Sequence, residues 1–272
     1  MPIPGWNEVL HEQLLEEVRK VGDFQLEEFG NLDPEQVDEK GTRDLVTWVD
    51  RESEDRLARV LEESLPEAAL RGEEGRQRKG RGELCWLVDP LDGTSNYSYG
   101  HPFFAISIAL LKGKHPVLGI IHAPALRETF HAIDGQGAFL DDRPLKVSPR
   151  KDPANMLFAT GFAEARQVHA EVNLRNMDRM LHASRGVRRA GSAALDLAYV
   201  AAGRFDAFWE MGLQSWDIAA GICLVRSAGG RVSDLLGRED LVYGQSILAS
   251  NGLVHDWMLE ELELDPRFSA ES

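Results

Sequence analysis

The run Cys85-Trp86-Leu87-Val88-Asp89-Pro90-Leu91-Asp92-Gly93-Thr94-Ser95-Asn96 constrains this chain more than any other stretch. Three apolar residues, Trp86 to Val88, bounded by turn formers, read as a short buried strand that ends in Asp89, where sheet gives way to loop. Pro90 fixes its own φ and biases Asp89 toward an extended backbone, and Gly93 admits conformations that other residues resist. Such a turn can hold Asp89 and Asp92 close together. Two carboxylates so held repel unless one is protonated or a cation lies between them, and hard oxygen ligands suit Mg²⁺ or Ca²⁺. The backbone N–H groups of Gly93, Thr94 and Ser95 would cradle an anion if a helix starts there. A cation on one side and donors on the other describe a phosphate site. Asp-Pro and Asp-Gly are also ordinary turn dipeptides, so the two acids alone leave turn and metal site equally open.

The rest of the chain must decide, and its length permits a large core: 272 residues make one compact unit or two tightly joined halves. The 45 acidic against 30 basic residues give a formal charge of −15, which repels nucleic acid and anionic membrane and argues against direct contact with either. It would repel a phosphate ester too, so an anion site here requires local positive charge, which bound metal supplies. Cys85 and Cys223 sit in apolar runs with no pairing framework, and the N-terminus carries no basic-then-apolar leader. These features suggest a reduced, cytoplasmic protein. The eight histidines are scattered without zinc-type spacing and receive no role.

Apolar positions between residues 6 and 29 fall at helical spacing, Gly30 to Gly41 reads as a polar loop, and a second helix follows Asp50 as its expected N-cap, ending at Pro66. Glu67 to Gly82 reads as a mobile, glycine-rich loop carrying Glu73 and Glu74. Strand-like runs at 103–111, 116–122 and 128–133, joined by short turns, suggest an antiparallel meander. Pro149 and Pro153 mark the expected boundary between an N-terminal α+β half, 1–148, and a C-terminal α/β half, 149–272. In the second half strands and helices alternate, including an alanine-rich helix from Ser192 and a nearly all-apolar one from Ile218, for which Asp217 is the expected N-cap.

The run from Trp86 to Tyr97 resembles the first signature of the inositol monophosphatase family, the Mg²⁺-dependent, lithium-sensitive sugar and polyol phosphatases, in its bacterial form. Ser215-Trp216-Asp217-Ile218-Ala219-Ala220-Gly221 is similar to the second, and Gly72-Glu73-Glu74 to a third element upstream. The resemblance implies an α-β-α-β-α sandwich, a homodimer, and two or three Mg²⁺ ions per site held by Glu73, Asp89, Asp92, Asp217 and the carbonyl of Leu91. Glu74 stands behind these ligands and is counted with the catalytic group. The same pattern pairs Thr94 with Asp44, threonine accepting from a water and aspartate from threonine, so that the water loses its proton and attacks phosphorus. Gly93 and Thr94 would supply N–H groups to the phosphate, and Gly191, Ser192, Ala193, Glu210 and Asp217 would contact substrate hydroxyls. Each residue also has a plain reading from the sequence itself: Glu73 as a solvated loop acid, Asp44 as a loop charge, Thr94 as a turn hydroxyl, and Ser192 and Asp217 as helix caps.

The resulting expectation is a phosphomonoesterase acting on myo-inositol 1-phosphate or a related polyol or sugar phosphate. Asn96-Tyr97 favours that branch of the family, whereas Ala163-Glu164 departs from the usual pattern beside the substrate pocket. Fructose 1,6-bisphosphate or a nucleotide bisphosphate is the alternative substrate. A regulatory, protein-binding role on the same fold is the alternative function, since some bacterial relatives associate with transcription machinery. The whole reading requires Glu73, Asp89, Asp92 and Asp217 to surround one centre.

Overall fold

The computed structural model describes residues 3–31, 37–41, 44–162, 166–240 and 242–265. Helix α1 (Glu8–Glu28) begins at Asn7, whose side chain accepts from the Leu10 N–H, and turns Leu14, Leu15, Val18 and Val21 inward at three- and four-residue steps. Helix α2 (Trp48–Ser64) starts earlier than Asp50: Thr47 is its N-cap, and Asp50, three residues on, completes a capping box. The end of the stretch read as loop, Gly30 to Gly41, is strand β1 (Val37–Gly41), which forms a hairpin with β2 (Asp44–Thr47) just before α2. Its sequence lacks apolar alternation in β1, so backbone pairing defines it where side-chain pattern does not.

The first sheet has eight strands in the order β10 (Arg143–Pro144), β9 (Gly137–Leu140), β8 (Glu128–Ile133), β7 (His115–Ala123), β6 (Ala105–Lys112), β5 (Leu84–Asp92), β3 (Ala69–Gly72) and β4 (Gln77–Arg78). The meander from β5 to β10 is antiparallel throughout, as its three long apolar runs suggest. The stretch expected to be a mobile loop instead adds a strand: β3 runs parallel to β5, with Leu70 buried against the same core. Its side chains alternate between exposed and buried, and the flanking charge and glycine hide a signal only four residues long.

The second sheet has five strands in the order β12 (Gly186–Arg188), β11 (Leu157–Thr160), β13 (Ala207–Met211), β15 (Ser246–Ser250) and β14 (Arg231–Ser233). The chain passes from one sheet to the other between Pro144 and Leu157. Around the sheets five layers stack. Helices α1 and α2 cover one face of the eight-stranded sheet, and α5 (Ala193–Ala201) with α6 (Ser215–Ser227) fills the space between the sheets. Helices α4 (Arg166–Ala183) and α7 (His255–Glu261) close the outer face of the five-stranded sheet. Helix α6 is buried without a break from Ile218 to Val225, as a helix between two sheets must be. It starts at Ser215, capped by Gln214, so Asp217 lies within its first turn and is not the N-cap. Cys85 and Cys223 are free thiols, and among the described residues no helix is long and apolar enough to cross a membrane.

Asp206 ties the crossover to the second sheet. Fully buried, its carboxylate accepts from Ser148 Oγ, from Arg150 Nη1 at 3.0 Å and from the Leu157 N–H at 2.8 Å. Removing it takes their acceptor from the Ser148 hydroxyl and the Leu157 N–H and leaves Arg150 with the Gly203 carbonyl and solvent. Asp206→Ala should therefore lower unfolding free energy by about 2–4 kcal/mol with an unchanged denaturant slope; urea titration of both proteins checks this, and a shift in midpoint too small to resolve would refute it.

Candidate active site

Strand β5 carries the site to the point where the two sheets face α6. Its pairing with β6 places Asp89 opposite Ser107 and Asp92 opposite Ala105, with a break in register between. Three steps on one strand meet two on the other, which bends β5 and re-aims both acids. The turn is fixed from several sides. The Leu91 N–H donates to Asp89 Oδ1 at 2.9 Å, and Gln25 Nε2, buried in α1, donates to Pro90 O at 2.7 Å. Gly93 sits at φ +96°, with Phe103 O and Gly191 O so near that a Cβ would be at 3.1 and 3.2 Å, so glycine answers both conformation and space. Helix α3 (Thr94–Ser98) begins immediately after it, with Gly93 as N-cap.

Around this turn four acids meet. Asp89 is pushed well above the usual carboxylate range by burial first, then by the charges of Glu73, Asp92 and Asp217, and a hydrogen bond joins it to Glu73. Asp217 is raised in the same way, by burial and then by Asp92 and Glu73. Asp92 is raised to about 6 by burial, against the opposing pull of donors from Ser192, Ala194 and Ala193. Glu73 and three aspartates from β5 and α6 thus share one centre. Among the described residues no three His, Cys, Asp or Glu side chains stand as a finished metal-ligating group; Glu73 and Asp89 are hydrogen-bonded to each other. The donor set nevertheless fits a hard divalent cation. Its side chains offer carboxylate oxygen throughout, and what raises Asp89 and Asp217 is burial and other acids, so the pocket is short of positive charge.

Thr94 has a different partner from the one expected. Its Oγ1 lies 2.9 Å from Asp50 Oδ1 and 3.0 Å from Leu91 O. The acceptor assigned to Asp44 is thus Asp50, in the first turn of α2; the Asp44 side chain lies outside the described residues. Asp50 Oδ2 accepts from both the N–H and the hydroxyl of Thr47. Burial raises Asp50 to about 6, opposed by those donors and Thr94, with the charge of Glu74 adding to the rise. Glu74 is near enough to Asp50 for its charge to be felt there. The Thr47-x-x-Asp50 capping spacing was the available signal for Asp50.

On the other side, Asp92 Oδ2 receives Ser192 Oγ at 2.6 Å and the Ala194 N–H at 2.7 Å, so the start of α5 grips this acid. Ser192 also caps α5 through the Leu195 N–H. Of Gly191, Ser192 and Ala193, expected at the substrate, Ser192 and Ala193 thus first serve to hold Asp92. Asn96 links the two halves, donating to Phe103 O at 2.6 Å and Ala190 O at 2.9 Å. Glu210, buried on β13, is close enough for its charge to raise Asp217. One further acid went unread in the sequence: Asp196, buried in α5, is raised well above the usual range by burial, then by Glu210 and Asp92, with Arg189 opposing. It looked like one polar residue in an apolar helix. Ala163 and Glu164 lie outside the described residues.

Residues 6–265 match the model of the inositol monophosphatase family. The chain belongs to this family. A protein of Pseudomonas aeruginosa named Nus factor SuhB is 43% identical over 242 residues, 87% of this chain and 89% of its own length. An inositol-1-monophosphatase of Mesorhizobium japonicum is 38% identical over 258 residues, 92% of this chain and 94% of its own. The crystal structure of the extragenic suppressor protein SuhB from Bartonella henselae superposes with a TM-score of 0.89 at 37% identity, covering 94% of this chain and 99% of that one. In this inositol monophosphatase family member the signature acids therefore stand on the framework of its solved relatives.

Acids raised above their unfolded values bind protons in the folded state that the unfolded chain has released. For Asp92 that contribution to stability is present below the ordinary aspartate value of 3.8 and is lost as pH rises through about 6. In metal-free buffer Asp92→Asn should therefore be more stable than the parent by about 1–3 kcal/mol near pH 7.5, and the advantage should shrink toward pH 4.5. Thermal unfolding across this range in chelator checks it; a difference independent of pH would refute it.

Proposed function

We propose that this protein is a Mg²⁺-dependent phosphomonoesterase of myo-inositol 1-phosphate or a related polyol or sugar phosphate. The observation that carries the reading is the convergence of Glu73, Asp89, Asp92 and Asp217 beside the Thr94–Asp50 pair. Glu73, Asp89, Asp92, Asp217 and the Leu91 carbonyl would hold the metal. Bound, the ions neutralise the acid pocket, acidify water and offset charge on the phosphoryl oxygens.

The chain's own residues supply orientation and a proton acceptor. Thr94 Oγ1 has one hydrogen; donating it to Asp50 leaves its lone pairs to accept from a water. Asp50, raised to about 6, is ionised at neutral pH yet more basic than a surface carboxylate, which suits it to draw the proton through Thr94. The first N–H groups of α3, at Gly93 and Thr94, lie at a helix start, where backbone donors lack a partner within the helix and would suit a phosphate oxygen. Glu210, with Ser192 and Asp217 close by, supplies acceptors suited to substrate hydroxyls. The family resemblance adds two or three ions per site, lithium sensitivity, a cytoplasmic location and a homodimer. Fructose 1,6-bisphosphate and nucleotide bisphosphates are the competing substrates. A regulatory, protein-binding role is a second reading, favoured by the 43% identical relative named a Nus factor; capture of a partner by the Asp92→Asn protein would support it.

A panel of phosphate esters with and without Mg²⁺ tests the main reading. Release of phosphate from myo-inositol 1-phosphate should lead the panel in kcat/KM and vanish in excess chelator; hydrolysis that persists unchanged there would end the proposal. Asp50→Asn and Thr94→Ala should each lower kcat by about 10²-fold or more, with the double variant little worse than either, because the two act as one unit. Asp44→Asn should stay within about threefold of the parent, and a larger loss than Asp50→Asn would return the role to Asp44.

A further inference from the structure

Helix α2 carries a second buried acid one turn beyond Asp50. Glu54 is only 3% exposed, and each oxygen of its carboxylate accepts from the turn between β3 and β4. Oε2 accepts from the Glu74 N–H at 2.8 Å and Oε1 from the Arg76 N–H at 2.7 Å. The turn presses against it: a Cβ on Gly72 would lie 2.0 Å from Glu54 Oε2, so the close approach requires glycine there. Two backbone bonds complete the frame, from Gly72 N–H to Arg76 O at 2.8 Å and from Glu73 N–H to Val88 O at 3.0 Å. Glu73 is therefore held by its own N–H to the strand that carries Asp89, and by its neighbours to α2.

Placing another carboxylate beside a pocket already crowded with acids is unfavourable unless it serves a purpose that a neutral apolar residue would not. A carboxylate whose two oxygens each take one amide fixes a turn more firmly than a single acceptor does. Asp50 and Glu54, four residues apart, lie on one face of α2. The first meets Thr94 and the second meets the Glu73 turn, so one helix sets the separation between the proton-accepting pair and the metal-binding arm.

We propose that Glu54 is a positioning residue for metal binding, which presents Glu73 to the other three acids by clamping the amides of Glu74 and Arg76. The inference rests on the reading of the acid pocket as a metal site. Loss of the clamp weakens the hold on the ion and leaves the chemistry of the fully loaded site in place.

The test compares the parent with Glu54→Ala and Glu54→Gln. Calorimetric titration with Mg²⁺ alone, without substrate, should show Glu54→Ala binding about 10–100-fold more weakly. Glu54→Gln keeps one acceptor oxygen and should fall between the two. In phosphatase assays the half-saturating Mg²⁺ should rise by a similar factor while kcat at saturating Mg²⁺ stays within about threefold, because the residue acts through Glu73 and not on the reacting atoms. Hydrogen exchange of the metal-free proteins should speed at the Glu74 and Arg76 amides. Unchanged Mg²⁺ affinity in a folded Glu54→Ala protein, or a loss of kcat with unaltered metal dependence, overturns the proposal. Should Glu54→Ala fail to fold, Glu54→Gln decides, and parental affinity in that variant overturns it equally. A parent that binds no Mg²⁺ in the calorimeter would instead overturn the metal-site reading itself.

Discussion

Like charges gathered out of water make an expensive arrangement, and the centre of this molecule is built around one. Asp89 is buried, Asp92 and Asp217 are half-buried, and Glu73 is hydrogen-bonded to the first of them. Each aspartate is driven toward its protonated form by desolvation, and Asp89 and Asp217 by the neighbouring acids as well. A chain that did not need the cluster would gain stability by losing it. Keeping it obliges the fold to supply enough donors and rigid backbone that the acids stay together until positive charge arrives.

The fold meets that demand with the beginnings of helices. Asp92 is met by the first N–H groups of α5, and Asp217 lies in the first turn of α6, bonded to the Gln214 N–H at 2.7 Å. Asp50 closes the capping box of α2. Helix starts are where backbone donors lack internal partners and where the peptide dipoles favour negative charge, so each position tolerates an acid locally before any ligand is considered. The sheet supplies the remaining precision: the register break in β5 aims Asp89 and Asp92, while Ser107, opposite Asp89, donates to Trp216 O at 2.9 Å and fastens the start of α6 to β6. Local capping chemistry and long-range convergence thus use the same side chains.

That double use explains what could be read from the sequence and what could not. The turn from Asp89 to Gly93 was legible because proline and glycine constrain backbone directly, and β6, β7 and β8 because long apolar runs outweigh local noise. Asp217 is a helix-start acid as expected, but three positions into the helix because Gln214 takes the cap. The hairpin of β1 and β2 and the short β3 escaped because β1 is polar, β2 and β3 are only four residues long, and their definition comes from pairing with other strands. Asp44 and Asp50 flank the same apolar stretch, and only the three-dimensional approach of Thr94 singles out Asp50. Glu54 and Asp196 escaped for opposite reasons: one sits among many surface-type charges of α2 and the other among the alanines of α5. Inward orientation of an acid on a helix is set by what packs against it, and the partners of both come from elsewhere in the chain.

The middle layer belongs to one end of the chain and covers the other. Helices α5 and α6 come from residues 193–227, yet they pack on the face of a sheet finished by residue 144. A ribosome making this protein will therefore extrude a complete eight-stranded sheet whose inner face is bare until roughly eighty further residues have been added, an interval of several seconds at ordinary elongation rates. During that interval the nascent sheet resembles an open sandwich, and its fate depends on chaperones or on the speed of translation as much as on the stability of the finished molecule.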